Sequence, residues 1–251
     1  MMSEFVRADA LSKTFGHFTA VDAISLRVRQ GEVLGFLGPN GAGKTTTMRM
    51  LTGFIEPDSG TASICGTSIL TNPVIAKKHM GYLPEGAPLY GDMTVHQLLK
   101  FIAEVRQLSP KQFKNRLDAV TEQLHLDAVM YQTIETLSKG FKRRVGLAQA
   151  ILHDPNVLIL DEPTDGLDPV QKHEVRILIK QMAQTKAIII STHILEEVEA
   201  VCSRTMIIAR GKLLVDDTPA GLLSQYASFG NLDAIFRHLV TTSTYPGHDQ
   251  Q

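Results

Sequence analysis

Gly38-Pro39-Asn40-Gly41-Ala42-Gly43-Lys44-Thr45-Thr46 decides the reading of this chain. The nine residues fit the pattern G-x-x-x-x-G-K-[ST], in which each residue type has a physical task. Glycines admit backbone angles closed to residues with a Cβ, so consecutive N–H groups can turn inward around an anion. The helix that follows adds its own unpaired N–H groups to that concavity. Lys44 has the reach to meet β- and γ-phosphates, and the Thr45 hydroxyl is placed to ligate Mg²⁺. The flanks agree. Val33–Leu37 is a continuous apolar run of strand length, and residues 46–51 read as the start of a helix. The stretch therefore predicts a site for a nucleoside triphosphate at the end of a buried strand.

Composition narrows what can surround it. The 251 residues suffice for one large α/β domain, with or without a subdomain, and apolar content is ordinary. A formal charge of −1 gives no electrostatic reason to expect a nucleic-acid partner. Cys65 and Cys202 stand far apart without metal-type spacing and read as buried thiols of a reducing compartment. No basic stretch followed by an apolar run opens the chain, and no segment approaches membrane-spanning length. The expectation is a soluble, cytoplasmic protein.

Taken in order, residues 5–10 and 24–28 read as strands, the second with Ile24, Leu26 and Val28 on one face, and residues 11–17 as a loop between them. Further short strands fall at residues 61–64 and 81–83. From residue 94 the periodicity becomes helical, with Val95, Leu98, Leu99, Ile102 and Val105 at steps of three and four. Ser109-Pro110 marks the next helix start. Residues 85–153 thus form a candidate helical subdomain inserted into an α/β core. Val157-Leu158-Ile159-Leu160 and residues 187–190 read as buried parallel strands. Helices at 169–183, 194–201, 219–226 and 232–239 and strands at 206–209 and 212–215 complete a single domain, residues 4–240. The polar tail, 241–251, reads as disordered. The fold class is α/β with a mainly parallel sheet and an N-terminal antiparallel subdomain.

Asp161 and Glu162 end the first buried strand, where open α/β sheets place their ligands. A carboxylate at 161 can hold Mg²⁺, and Glu162 can act as general base on a water in line with the γ-phosphate. His193, just past the next strand, can hydrogen-bond that phosphate and orient the water. Lys142-Arg143-Arg144 reads as either a solvated helix face or a docking surface.

These motifs together resemble the nucleotide-binding subunit of an ABC transporter, over residues 4–218. Five motifs stand in that family's order: Walker A at residues 38–46, the signature Leu137-Ser138-Lys139-Gly140-Phe141, Walker B at residues 157–161 with Glu162, the D-loop Gly166-Leu167-Asp168, and the H-loop His193. The resemblance implies the ABC ATPase fold on a P-loop NTPase core. It also implies ATP and Mg²⁺ as ligands, and a homodimer in which Ser138, Gly140 and Asp168 of one copy face the nucleotide of the other. Phe15 takes the place of the adenine-stacking ring, with Phe where Tyr is usual. Glu85 stands where the family carries Gln and still offers an oxygen towards Mg²⁺. Lys139 replaces the usual Gly and either adds positive charge near the opposite γ-phosphate or, the favoured expectation, faces water. Leu83-Pro84-Glu85-Gly86 and Leu-Ser-Lys-Gly-Phe resemble the ABC-2 exporter branch, its gliding-motility-associated type in particular. That branch implies an integral-membrane permease docked at the loop 84–93, with the chain held on the cytoplasmic face of the inner membrane. A soluble ABC ATPase acting on a macromolecular complex is the alternative; such relatives carry tandem domains or basic insertions, and this chain shows neither.

Overall fold

Two twelve-residue strands lead the chain, β1 (Glu4–Phe15) and β2 (Phe18–Arg29), paired antiparallel across a turn at Gly16-His17. The computed structural model describes residues 3–244. Most of residues 11–17, expected as a loop, belongs to β1. Register shifts between Ala8 and Leu11 and again before Lys13 break the in–out alternation, while Ala10 and Ala23 sit at positive φ. A bulged strand keeps pairing but loses the period of two by which a strand is recognised in sequence.

The remaining elements follow in order. β3 (Val33–Leu37) feeds α1 (Lys44–Leu51); β4 (Ser59–Ile64), β5 (Thr67–Ser68) and α2 (Pro73–Lys78) lead to β6 (Met80–Leu83). Three helices come next, α3 (Val95–Val105), α4 (Pro110–Leu124) and α5 (Lys139–Ile151). Then β7 (Val157–Asp161), α6 (Pro169–Ala183), β8 (Ala187–Thr192), α7 (Leu195–Val201), β9 (Arg204–Ala209) and β10 (Lys212–Asp217) complete the sheets, and α8 (Pro219–Gln225) and α9 (Leu232–Thr244) close the chain. α2, six residues begun by Pro73, was too short to leave a periodic signal. α9 runs through Thr244, so residues 241–244 are helical rather than disordered; residues 245–251 lie outside the described residues.

Two sheets result. One is antiparallel in the order β2-β1-β4-β5; the other runs β10-β9-β3-β8-β7-β6, parallel throughout except for β10. The second sheet is covered on both faces. β7 sends Leu158 and Leu160 into a core shared with α3–α6, and Val157 and Ile159 into a core shared with α1 and the antiparallel sheet; β8 divides Ile188 and Ile190 from Ala187 and Ile189 in the same way. Burial on both faces is why these strands read as unbroken apolar runs. Truncating one such side chain to Ala costs about 2–5 kcal/mol.

The helices between β6 and β7 are fixed locally before they pack. Thr94 with Gln97 and Ser109 with Gln112 form complete capping boxes at the starts of α3 and α4. Apolar stripes on these helices, Val95, Leu98 and Leu99 of α3 among them, fill the insert's core against α5. At the other end of the sheet, α9 seats Leu232 and Ile235 against Leu37, Ile207 and Leu222.

Candidate functional site

Register alone brings the chemistry together. In the order β3-β8-β7-β6, Leu37 pairs with Thr192, Asp161 with Ser191, and Leu83 with Leu160. Four adjacent parallel strands therefore deliver the phosphate loop at 38–43, Thr192-His193, Asp161-Glu162 and Glu85 along one carboxyl edge, the ligand edge of an open α/β sheet.

The phosphate loop is held by backbone. Ala42 N–H donates to Pro39 O at 3.1 Å, and Gly211 N–H reaches across to Ala42 O at 2.9 Å. Gly43 is a position where a side chain has no room. Its φ is +102°, and a Cβ there would stand 2.4 Å from the Ala20 carbonyl oxygen. The loop opens into a cavity of about 370 Å³ lined by Asn40, Gly41, Ala42, Gly43, Lys44, Thr45, Thr46, Glu85, Asp161 and Glu162, with Phe18 and Ala20 contributed by the first hairpin. Lys44 donates from Nζ to the carbonyls of Gly38 at 2.7 Å and Pro39 at 3.2 Å. Burial lowers its pKa, and the carboxylates of Glu162, Asp161 and Glu85 oppose that shift.

Asp161 is 1% exposed, and neither of its carboxylate oxygens has a hydrogen-bond partner among the described residues. A buried carboxylate without partner is costly and calls for a cation. Thr45 and Glu85 line the same cavity, so two carboxylates and a hydroxyl face it together. This hard-oxygen donor set fits Mg²⁺.

Glu162 occupies the left-handed region with φ +51°, uncommon for a residue with a side chain, and its N–H donates to Ser191 O. Its Oε1 lies 2.8 Å from His193 Nδ1. With the carboxylate ionised and acceptor-only, the proton of that bond sits on Nδ1. His193 does not line the cavity; its contact with it runs through Glu162.

The strained turn is secured from the signature helix. Arg143, 5% exposed, donates to the carbonyls of Asp161 and Glu162, to Pro163 O at 3.3 Å and to Pro84 O at 3.1 Å. One guanidinium thus ties the backbone at the end of β7 to the loop that carries Glu85. Arg144 is buried against Glu174 (2.9 Å), with its guanidinium over the Phe141 ring. Neither arginine belongs to a solvated face or a docking surface, contrary to one sequence expectation. Each is turned inward by the helical period that also buries Gly140 and Leu147.

The other expected site residues stand apart. Ser138 is exposed and caps α5, accepting from Phe141 N–H at 3.3 Å; Asp168 is exposed and caps α6, accepting from Gln171 N–H at 2.9 Å. Gly140 is buried against Gln171, where a Cβ would meet Oε1 at 2.6 Å. Lys139 is exposed as expected but ion-paired with Asp165 at 3.0 Å. Phe15 ends β1 opposite Phe18, and of the pair only Phe18 lines the cavity. Sequence reasoning had no signal for Phe18, because its place depends on where the hairpin turns.

The chain is similar to known proteins. A family profile described as "ABC transporter" matches residues 21–165. The probable multidrug ABC transporter ATP-binding protein YbhF of Escherichia coli K12 is 36% identical over 224 residues, 89% of this chain, and the chain spans only 39% of that relative's length. The Nod factor export ATP-binding protein I of Paraburkholderia xenovorans is 37% identical over 220 residues, 87% of this chain and 72% of its own. A solved structure of an ATP-binding subunit of an ABC transporter superposes with a TM-score of 0.87 at 28% identity, covering 94% of this chain and 99% of its own.

Proposed function

Because the chain belongs to the ATP-binding family of ABC transporters, we propose that it binds and hydrolyses ATP as one half of a head-to-tail homodimer and drives an integral-membrane permease, in the direction of export. The observation that carries the ATPase reading is the edge at β3 and β7: a phosphate loop facing a buried Asp161 whose carboxylate has no hydrogen-bond partner among the described residues, with Glu162 held by His193.

Hydrolysis is phosphoryl transfer to water, so the protein positions groups and neutralises charge. The loop N–H groups and Lys44 take the β- and γ-phosphates. Glu162 accepts the proton of the water whose oxygen attacks the γ-phosphorus, and ADP leaves on the opposite side. His193, through its Nδ1–H, keeps the Glu162 carboxylate aimed. Thr45, Asp161 and Glu85 are the residues that would hold Mg²⁺, which supplies positive charge against the phosphate oxygens.

Ser138 and Asp168 are exposed, and with Gly140 they stay outside the cavity of their own chain. This supports a site completed by a second copy. ATP then favours the closed pair, and hydrolysis removes that preference. For the permease, the support is a groove of about 650 Å³ beside the 84–93 loop, where exposed Phe54, Val74 and Val105 stand among Arg49, Lys77, Lys78 and Arg106. No helix of the described residues is long and apolar enough to cross a membrane. Two relatives are named for multidrug transport and for Nod factor export. They support an exporter with this subunit on the cytoplasmic face of the membrane; the ABC-2 branch and its gliding-motility-associated type rest on the resemblance of the Leu-Pro-Glu-Gly and Leu-Ser-Lys-Gly-Phe variants.

Capture of the chain from native membranes in detergent, followed by an ATPase assay with and without the captured material, tests the reading. A polytopic partner that raises turnover is expected; activity with soluble partners alone would move the protein to the macromolecular alternative.

A further inference from the structure

Glu197, on the first turn of α7, is 2% exposed and has no cation within ion-pair distance among the described residues. Its Oε2 accepts from the Thr192 hydroxyl at 2.7 Å, while its Oε1 is buried with no hydrogen-bond partner among the described residues. The same Thr192 Oγ1 accepts from Ile194 N–H at 3.1 Å and lies 3.5 Å from Glu162 Oε2. An unbroken run therefore joins Glu197, Thr192, Glu162 and His193. A helix-capping role does not account for Glu197. In a capping box a Glu at this position would accept the Ile194 N–H, and here Thr192 has taken that proton.

We infer that Glu197 is a positioning residue for ATP hydrolysis: by holding the Thr192 hydroxyl, it fixes the second oxygen of the Glu162 carboxylate, as His193 fixes the first. The physical need is plain. Glu162 sits on a left-handed backbone, so its side chain would otherwise be located by one hydrogen bond to a half-exposed imidazole. Thr192 has one proton to give and two carboxylates facing it. Burial raises the Glu197 pKa and Glu162 adds to the shift, while the hydrogen bond from Thr192, and then Arg176 and Lys172, oppose it. The hydroxyl that Glu197 anchors at 2.7 Å cannot rotate away, so the Thr192 side chain stays against Glu162, its oxygen 3.5 Å from Oε2.

The inference rests on Glu162 being the base, and one kinetic series separates the two claims. Steady-state ATPase rates and thermal midpoints are measured on the full chain for Thr192→Val, Thr192→Ser, Glu197→Leu and Glu197→Gln, beside Glu162→Gln. Thr192→Val and Glu197→Leu are expected to lower kcat about tenfold or more with KM for ATP within about twofold. Ser and Gln, which keep a hydrogen-bonding group in place, should restore most of the loss, and the Val/Leu double variant should be no slower than the slower single one. Wild-type kcat in Thr192→Val or Glu197→Leu, with Glu162→Gln inactive, would overturn the inference and leave the base in place. Full turnover in Glu162→Gln would overturn the site reading itself. If Glu197→Leu does not fold, the comparison of Thr192→Val with Thr192→Ser decides.

Discussion

Two motifs of this chain, the phosphate loop before α1 and the signature turn before α5, are built in opposite ways. The first is enclosed: Gly43 has no room for a Cβ, Lys44 is buried, and the walls are carboxylates of the same chain. The second is open. Ser138 and Lys139 face outward, and what is buried behind them is Arg143 and Arg144, anchoring the turn to the strand ends and to α6. A motif that keeps its reactive groups exposed while bracing its base is organised for a ligand brought by something else. In the head-to-tail pair proposed above, that difference marks the half of the site that one copy would complete alone.

The largest expected effect lies on the enclosed side. Glu162→Gln should lower turnover by about a hundredfold or more while ATP still binds, read by single-turnover hydrolysis beside a nucleotide-binding assay. Lys44→Ala removes a charge-assisted contact to the phosphates and should weaken ATP binding by about ten- to a hundredfold. Undiminished affinity in a filter assay would break the comparison at its first term.

On the open side the effects divide by burial. Arg143→Met leaves four carbonyls without their donor and should cost about 3 kcal/mol or more of unfolding free energy in urea, with turnover falling as the Asp161-Glu162 turn loosens. Lys139→Gln removes an ion pair whose side chains are 71% and 55% exposed. Stability should change by under about 1 kcal/mol, since exposed pairs contribute little. A large loss there would mean that the signature turn is braced from outside as well.

The sequence told unequally about these regions, for physical reasons. The phosphate loop and the Val157–Asp161 strand were legible because glycine spacing and two-sided burial each leave a mark in consecutive residues. β1 was read short because its bulges cancel the alternation, and Phe18 was missed with it. Arg143 was invisible for another reason. A run of three cations looks solvated, and only the packing of α5 against the strand ends shows that two of them turn inward. Glu197 drew no reading from the sequence, because only the fold of β8 places Thr192 between it and Glu162.

Mixing two damaged chains tests most directly the claim that each site takes one half from each copy. Lys44→Ala spoils the enclosed half and Ser138→Arg the open half, so each chain alone should be nearly inactive in an Mg-ATP hydrolysis assay. A mixed pair still holds one site with both halves intact, and the mixture should turn over well above the sum of the two measured separately. Turnover equal to that sum would contradict the account.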